Sequence, residues 1–485
     1  MRLSAGTMPT GVKTPAYDRE KVTAGIVHLG IGAFHRGHMA AYVDACLASD
    51  PSWGICGVSL RSPSTRDALA PQDGLYTLGI QSGDGLDAQI IGAIIDLIVA
   101  PQEPQRLAEA LLSPDTKIVS LTVTEKGYCL DPATGRLAVD HPDIQHDLTS
   151  NGHPRSAIGW LALGLLERRA AGLDPFTVLS CDNLPSNGRT LRRVLLDYIA
   201  LKAPDAVEWA QTNIACPCTM VDRIVPATTD EDRTQIADAL GMEDAWPIMT
   251  EPFSQFVVED HFPLGRPAWE AHGVTMAQHV EPFERMKLGM LNGSHSTLAY
   301  LGYLAGDETV ADTMADPSFR QLIHNLMTHE VMPTLSMPDG VDLPAYRDAL
   351  LERFSNTALK HRTWQIAMDG SQKLPQRLLG TIRDQLAAGR PIAILSLGVA
   401  AWMRYACGRD EHGNAIDVRD PLAGLFAEIA EVSDGSAADL MQRFLAIESI
   451  FGTDLPSDAA FKSAVTKQLK NLMENGARAT IAASL

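Results

Sequence analysis

A lysine among apolar neighbours is the residue of this chain best suited to acid–base work on an alcohol. Lys287 stands in the run Glu284-Arg285-Met286-Lys287-Leu288-Gly289-Met290-Leu291-Asn292-Gly293-Ser294-His295. An ammonium is costly to bury charged, so this setting predicts a pKa falling toward neutrality, as a general base for a hydroxyl requires. On an α-helix His295 lies about 80° round from Lys287, so the two share a broad face. Asn292 lies about 140° away and joins them only if the helix is distorted. A second asparagine follows a β-rich run, in Cys181-Asp182-Asn183-Leu184-Pro185. Open parallel sheets bind ligands beyond the carboxyl ends of their strands. Asn183 and Asn292 could therefore both donate amide hydrogens to a developing alkoxide. Taken singly, the same residues also fit a solvated lysine, a core histidine and an Asx turn.

A second chemical feature lies near the N-terminus. Gly30-Ile31-Gly32-Ala33-Phe34-His35-Arg36-Gly37-His38 follows an apolar run and precedes a helix-like stretch. This is most of the dinucleotide fingerprint G-x-G-x-x-G, with His35 in place of the third glycine. The acid that usually ends the second strand of such a fold, and binds a ribose diol, is missing from Leu60-Arg61-Ser62-Pro63-Ser64-Thr65-Arg66. Arg61 and Arg66 could meet a 2′-phosphate or remain solvated, which leaves NAD and NADP both open. Met220-Val221-Asp222-Arg223-Ile224 sets an acid beside a base within apolar flanks, as either a buried ion pair or a cofactor-pocket wall. Lys360-His361-Arg362-Thr363-Trp364-Gln365 and Asp369 to Arg377 form a basic, polar cluster. It fits the lining of a polyol or sugar-acid pocket, or a solvated loop.

The elements that must position these groups follow from apolar patterning. Near-continuous β-rich runs at residues 26–29, 54–60, 117–124 and 176–181 alternate with helical stretches such as Ala157–Ala171. That alternation indicates a parallel sheet covered on both faces. From about residue 284 helix-compatible stretches dominate, including 286–304, 318–332, 343–354, 392–405 and 459–485. The expected division is an α/β domain over 1–283 and a mostly helical domain over 284–485, with a ligand cleft where they meet. The chain has 485 residues and a formal net charge of −19. Such acidity disfavours nucleic acid or an anionic membrane surface as a partner. No apolar run is long enough for a membrane span and no signal-peptide core is visible, so a cytoplasmic enzyme is expected. The seven scattered cysteines predict reduced thiols, and Cys216-Pro-Cys218 lacks a second pair at zinc spacing.

Together these segments resemble the mannitol dehydrogenase family of polyol-specific long-chain dehydrogenases, which includes fructuronate reductases. The likeness rests on Gly30 to His38, Thr122-x-Thr124-Glu125-x-Gly127-Tyr128, Ser180 to Asn183, Met220 to Ile224, Lys287 to His295, and Asp369-Gly370-Ser371-x-Lys373. It implies a Rossmann-like, doubly wound N-terminal domain followed by a mostly α-helical one. It also implies metal-independent hydride transfer between C2 of a small polyol or sugar acid and a nicotinamide, with NAD the expected cofactor and NADP still open. Under that resemblance Lys287 is the general base and Asn183 and Asn292 form the oxyanion hole. His295 orients the substrate, and Glu284 exchanges the proton with solvent. Gly30, Gly32, Phe34, Arg36, Thr124 and Asp222 match cofactor-domain positions. Lys373, Gln365 and Arg362 match the substrate side, with Lys373 reaching distal hydroxyls.

The run His361 to Arg377 resembles the fructuronate reductase branch, and Gln365 replaces an arginine usual in mannitol 2-dehydrogenases. Ser254 and Gly289, by contrast, stand where fructuronate reductases tend to carry arginine. Missing positive charge near Lys287 disfavours a carboxylate substrate. The expected reaction is therefore D-mannitol to D-fructose, with D-fructuronate reduction to D-mannonate as the alternative. The intact set of Lys287, Asn292, His295 and Asn183 argues against a non-catalytic sensor. A monomer or small homo-oligomer is expected.

Overall fold

Strand β1 (Ala24–Leu29) carries Ile26, Val27 and Leu29 with no exposed surface, as a strand buried on both faces must. It pairs in parallel with β2 (Gly54–Ser59). Further along the chain come β3 (Tyr76–Ser82), β4 (Gly85–Ile91), β5 (Ile94–Val99), β6 (Ile118–Leu121) and β7 (Thr177–Ser180). Then follow β8 (Thr219–Asp222), β9 (Ile248–Thr250), β10 (Gln255–Glu259) and β11 (Thr275–Ala277). The central sheet has the order β5-β2-β1-β6-β7 and every pairing in it is parallel. The strand order reverses between β1 and β6, and the crevice beyond such a reversal is where open α/β sheets bind ligands. This computed structural model describes residues 1–83, 85–131, 134–150 and 152–485. They divide into two compact units, Met1–Glu281 and Pro282–Leu485. The first is an α/β unit and the second is helical.

The helix expected at Ala157–Ala171 has those bounds because its ends are chemically marked. Ser156 Oγ accepts from Gly159 N at 2.9 Å, and Gly172 closes the last turn with φ of 70°. Sequence patterning missed β5 and two small mixed sheets, β11-β10-β8 and β4-β3-β9. β9 and β11 are three residues each, too short to display a two-residue period. β4 mixes exposed and buried positions without a clean two-residue alternation.

The helical unit differs from expectation in one informative way. The single helix predicted over 286–304 is an α-helix to Met286, a π-helix over Lys287–Gly293, and an α-helix again over Ser294–Leu304. Two more π-helical stretches, Leu326–Val331 and Pro375–Leu379, pack against the first. Trp402, on the helix Ala393–Ala406, anchors the core between Phe426 and Phe444 at ring distances of 5.4 and 5.3 Å. No helix among the described residues is long and apolar enough to cross a membrane. All seven cysteines are free thiols.

Candidate active site

The first unit contributes a turn with room for a ligand. Gly30 follows β1 with φ of 91°, and a Cβ there would lie 2.2 Å from the Thr122 carbonyl oxygen. Only glycine fits that close approach between the ends of β1 and β6. Thr122 Oγ1 closes the contact by donating to the Gly30 carbonyl at 2.8 Å. A Cβ on Gly32 would meet nothing nearer than 3.8 Å, so its missing side chain leaves open space at the start of the next helical turn. That bare cradle at a strand-to-helix turn fits a dinucleotide pyrophosphate. Beneath it His28 lies between Ser120 Oγ and Thr122 Oγ1 and stacks on His35 at 3.4 Å. Burial pushes the His28 pKa down to about 3 and holds His35 well below the ordinary value, so the stack is neutral.

The other expected cofactor residues have separate placements. Phe34 stacks on His38, whose Nε2 faces the Gln255 carbonyl at 3.0 Å. Arg36 is enclosed, 3% exposed, with its guanidinium near Tyr76 and Trp246 and donating to the Trp246 carbonyl. These contacts tie it within the unit. Asp222 ends β8 and is buried. Arg223 donates to the carbonyls of Gly37 and Glu251. Arg66 is engaged by Asp67, Gln102 and Glu103, while Arg61 is exposed.

Asp182, which sequence reasoning left without a role, organises the loops that follow β6 and β7. Its carboxylate accepts from Val123 N at 2.9 Å, Thr124 N at 3.0 Å and Tyr128 OH at 2.8 Å. Burial raises its pKa and these bonds oppose the rise. The bonds hold Thr124 at φ of 64°, a left-handed conformation that threonine rarely adopts. Asn187, fully buried, donates to the Asp182 carbonyl at 3.0 Å and to Thr219 Oγ1 at 2.9 Å. Asn183, exposed, sits between these two anchors. The signal available in sequence was an acid directly before the candidate asparagine, in Ser180-Cys181-Asp182-Asn183.

In the helical unit the π-helix sets the geometry. Its i→i+5 hydrogen bonding returns residue i+5 to a place over residue i. Lys287 and Asn292 are five apart, so this segment puts them on one face, where a regular α-helix would separate them. Lys287 is 7% exposed, and Asn292, His295 and Glu284 are half-buried. His295 packs edge-on to His361 at 5.0 Å. Burial pushes both imidazoles below their ordinary pKa, with Arg353 nearby adding to the effect in each case. Arg377 donates to Ser296 Oγ at 3.1 Å, and among the described residues no carboxylate pairs with it. Lys373 donates to the Ile366 carbonyl, and its pKa is lowered by burial and by Arg377. The turn that carries Lys373 is held by Asp420, which accepts from Ser371 N and Oγ at 2.8 and 2.6 Å. Arg362 and Gln365 are exposed, and Arg362 pairs with Glu308 at 3.2 Å. Arg353, which is buried, and Arg377, which is half-buried, thus lie near His295, while two expected substrate residues lie at the surface.

Comparison with known proteins gives matches across both units. Residues 24–271 match the mannitol dehydrogenase Rossmann domain and residues 279–473 match the mannitol dehydrogenase C-terminal domain. The chain belongs to the mannitol dehydrogenase family. It is 48% identical over 477 residues to the D-mannonate oxidoreductase of Escherichia coli, covering 97% of this chain and 98% of the relative. It is 43% identical to the mannitol 2-dehydrogenase of Phaeosphaeria nodorum, covering 97% of this chain and 83% of that one. The solved mannitol 2-dehydrogenase of Pseudomonas fluorescens, a ternary complex with NAD and D-mannitol, superposes with a TM-score of 0.83. It is 41% identical and covers 100% of this chain and 99% of its own. As a mannitol dehydrogenase family member the chain is an oxidoreductase with a Rossmann domain, as the sequence motifs implied.

Within this family member, one cluster has the composition of a metal site. Glu259, His279 and Glu281 bring ligand atoms within 4.8 Å of one another, but Arg189 pairs with both carboxylates. The position of Gly289 also bears on substrate charge. A Cβ there would lie 2.7 Å from Val331 Cγ1, inside the packing of two π-helices. Two residues on from Lys287, it faces away from the Lys287–Asn292 side. The absence of arginine at 289 therefore removes no charge from the face that carries the lysine.

Proposed function

We propose that the protein transfers hydride between NAD and C2 of an open-chain six-carbon substrate, and that D-mannonate and D-fructuronate are the pair it suits best. NAD supplies the hydride acceptor at its nicotinamide, with Gly30 and Gly32 leaving space for its pyrophosphate. Lys287 takes the proton from the C2 hydroxyl during oxidation. Asn183 and Asn292 donate hydrogen bonds to the oxygen as charge develops on it, and Glu284 passes the proton to solvent. His295, kept neutral by burial, orients the substrate through a hydrogen bond.

The observation that carries the acid reading is Arg377. It is a half-buried guanidinium beside the His295–Ser296 turn, without a carboxylate partner among the described residues. A cation in that state is stabilised by an anionic ligand, and a charge-assisted bond is worth about 1.5–3 kcal/mol. The 48% identity to a D-mannonate oxidoreductase supports the same reading. D-mannitol and D-fructose are the second reading, favoured by the neutral Ser254, whose hydroxyl bonds Tyr42 OH at 2.8 Å.

Steady-state kinetics on one preparation, with both substrate pairs and both cofactors, tests the choice. The expected result is a kcat/KM at least tenfold higher for mannonate than for mannitol. Arg377→Met should lower the acid pair by roughly 10- to 100-fold, with mannitol changed by less than about threefold. Equal loss on both pairs, or a wild-type preference for mannitol, would refute the acid reading.

A further inference from the structure

A cavity lined by four arginines lies along the helix Asn187–Lys202, in a chain whose net charge is −19. It is an open groove of about 430 Å³ lined by Arg136, Arg189, Arg192, Arg193 and Asp197, with Glu259 and Glu281 paired to Arg189 at its edge. Arg189, Arg192 and Arg193 fall at i, i+3 and i+4, so the helix presents them on one face. Like charges at that spacing repel and destabilise the helix unless partners offset them. Three of the four have partners. Arg136 pairs with Asp197, Arg189 with Glu259 and Glu281, and Arg192 donates to the Gln211 carbonyl at 2.5 Å. Arg193 is exposed and has no partner among the described residues. Its guanidinium lies against Gly135, where a Cβ would sit 3.3 Å from Nη2.

We propose that this cavity binds a small multivalent anion carrying at least two phosphate or carboxylate groups. The guanidinium fork matches both oxyanions bidentately, and Arg192 and Arg193 keep unused N–H donors. The volume is that of a small-molecule pocket. An extended polyanion such as nucleic acid is disfavoured by the acidity of the rest of the chain. None of the lining residues belongs to the Gly30–Gly37 turn, so the site is separate from the dinucleotide cradle.

Isothermal titration of the full-length protein with tripolyphosphate and with citrate, with and without saturating NADH, tests this. Saturable one-site binding of at least one anion is expected in both conditions, weakening as salt rises. Binding of tripolyphosphate alone identifies a phosphate ligand, and of citrate alone a carboxylate ligand. Arg193→Gln should raise the Kd by roughly tenfold, and Arg192→Ala with Arg193→Ala by more, while substrate turnover stays within twofold of wild type. The single variant keeps the test sound if the double one folds poorly, because Arg193 makes no bond to lose. Absence of saturable binding for both anions, competition with NADH, or an unchanged Kd in Arg193→Gln would overturn the proposal.

Discussion

Asp182→Asn tests the carboxylate that holds together the loops after β6 and β7. The carboxylate accepts two backbone N–H groups, from Val123 and Thr124, and the Tyr128 hydroxyl. An asparagine offers one oxygen and one NH₂. Whichever way the amide turns, one backbone N–H is left facing a donor. An unsatisfied donor costs about 1–3 kcal/mol, and loss of the charge weakens the bonds that remain. Thr124 is exposed, so water relieves part of this, and the expected loss is about 2–3 kcal/mol. For a unit of this size that lowers Tm by roughly 4–10 °C. The larger effect should be on catalysis. Asn183 follows Asp182 directly, and a displacement of about 1 Å in a positioned group costs on the order of a hundredfold in rate. Thermal unfolding, NADH binding and steady-state kinetics on the same variant separate the effects. Expected are a kcat down about 30- to 100-fold and NADH affinity within a few-fold of wild type. A variant with Tm unchanged within 1–2 °C or so and kcat within about twofold would show that the two loops are held by other bonds and that Asp182 positions nothing.

Three further outcomes follow from the same packing. Gly30→Ala forces a Cβ to within 2.2 Å of the Thr122 carbonyl at a positive φ, so NADH fluorescence enhancement should be lost, and retained enhancement would contradict the close-approach argument. Gly293→Ala puts a Cβ 2.8 Å from the Arg377 carbonyl, prising apart two π-helical turns. Expected are a drop in kcat of at least about tenfold with NADH affinity preserved. His28 and His35 have folded-state pKa values below the ordinary histidine value, so the unfolded chain binds protons first as pH falls. Stability is then complete above about pH 6.5 and declines below it by about 1.4 kcal/mol per pH unit for each histidine. Urea titrations at pH 7.5, 6 and 5 read this directly, and equal midpoints would contradict it.

How much of this was legible in sequence depends on which physical signal each feature leaves. β1, β2, β6 and β7 were readable because a strand covered on both faces must be apolar almost throughout. The glycine turn was readable because a positive φ and a backbone contact admit no other residue. The face shared by Lys287 and Asn292 was not, since residue types alone give no sign that the helix widens, and regular α geometry puts the two about 140° apart. A partial signal was present in Gly289 and Gly293, which lack a Cβ where Val331 and the Arg377 carbonyl come within 2.7 and 2.8 Å. Those glycines let three π-helical stretches pack together, and that packing sets which side chains share the lysine's face. The reading of substrate charge depends on the same kind of geometry. Counting arginines by sequence position treats Gly289 as a lost cation, yet its Cβ direction enters helix packing. Arg377, which arrives from another π-helical turn, places a guanidinium beside Ser296. An arginine introduced at 289 should therefore disturb packing against Val331 before it adds any affinity for a carboxylate.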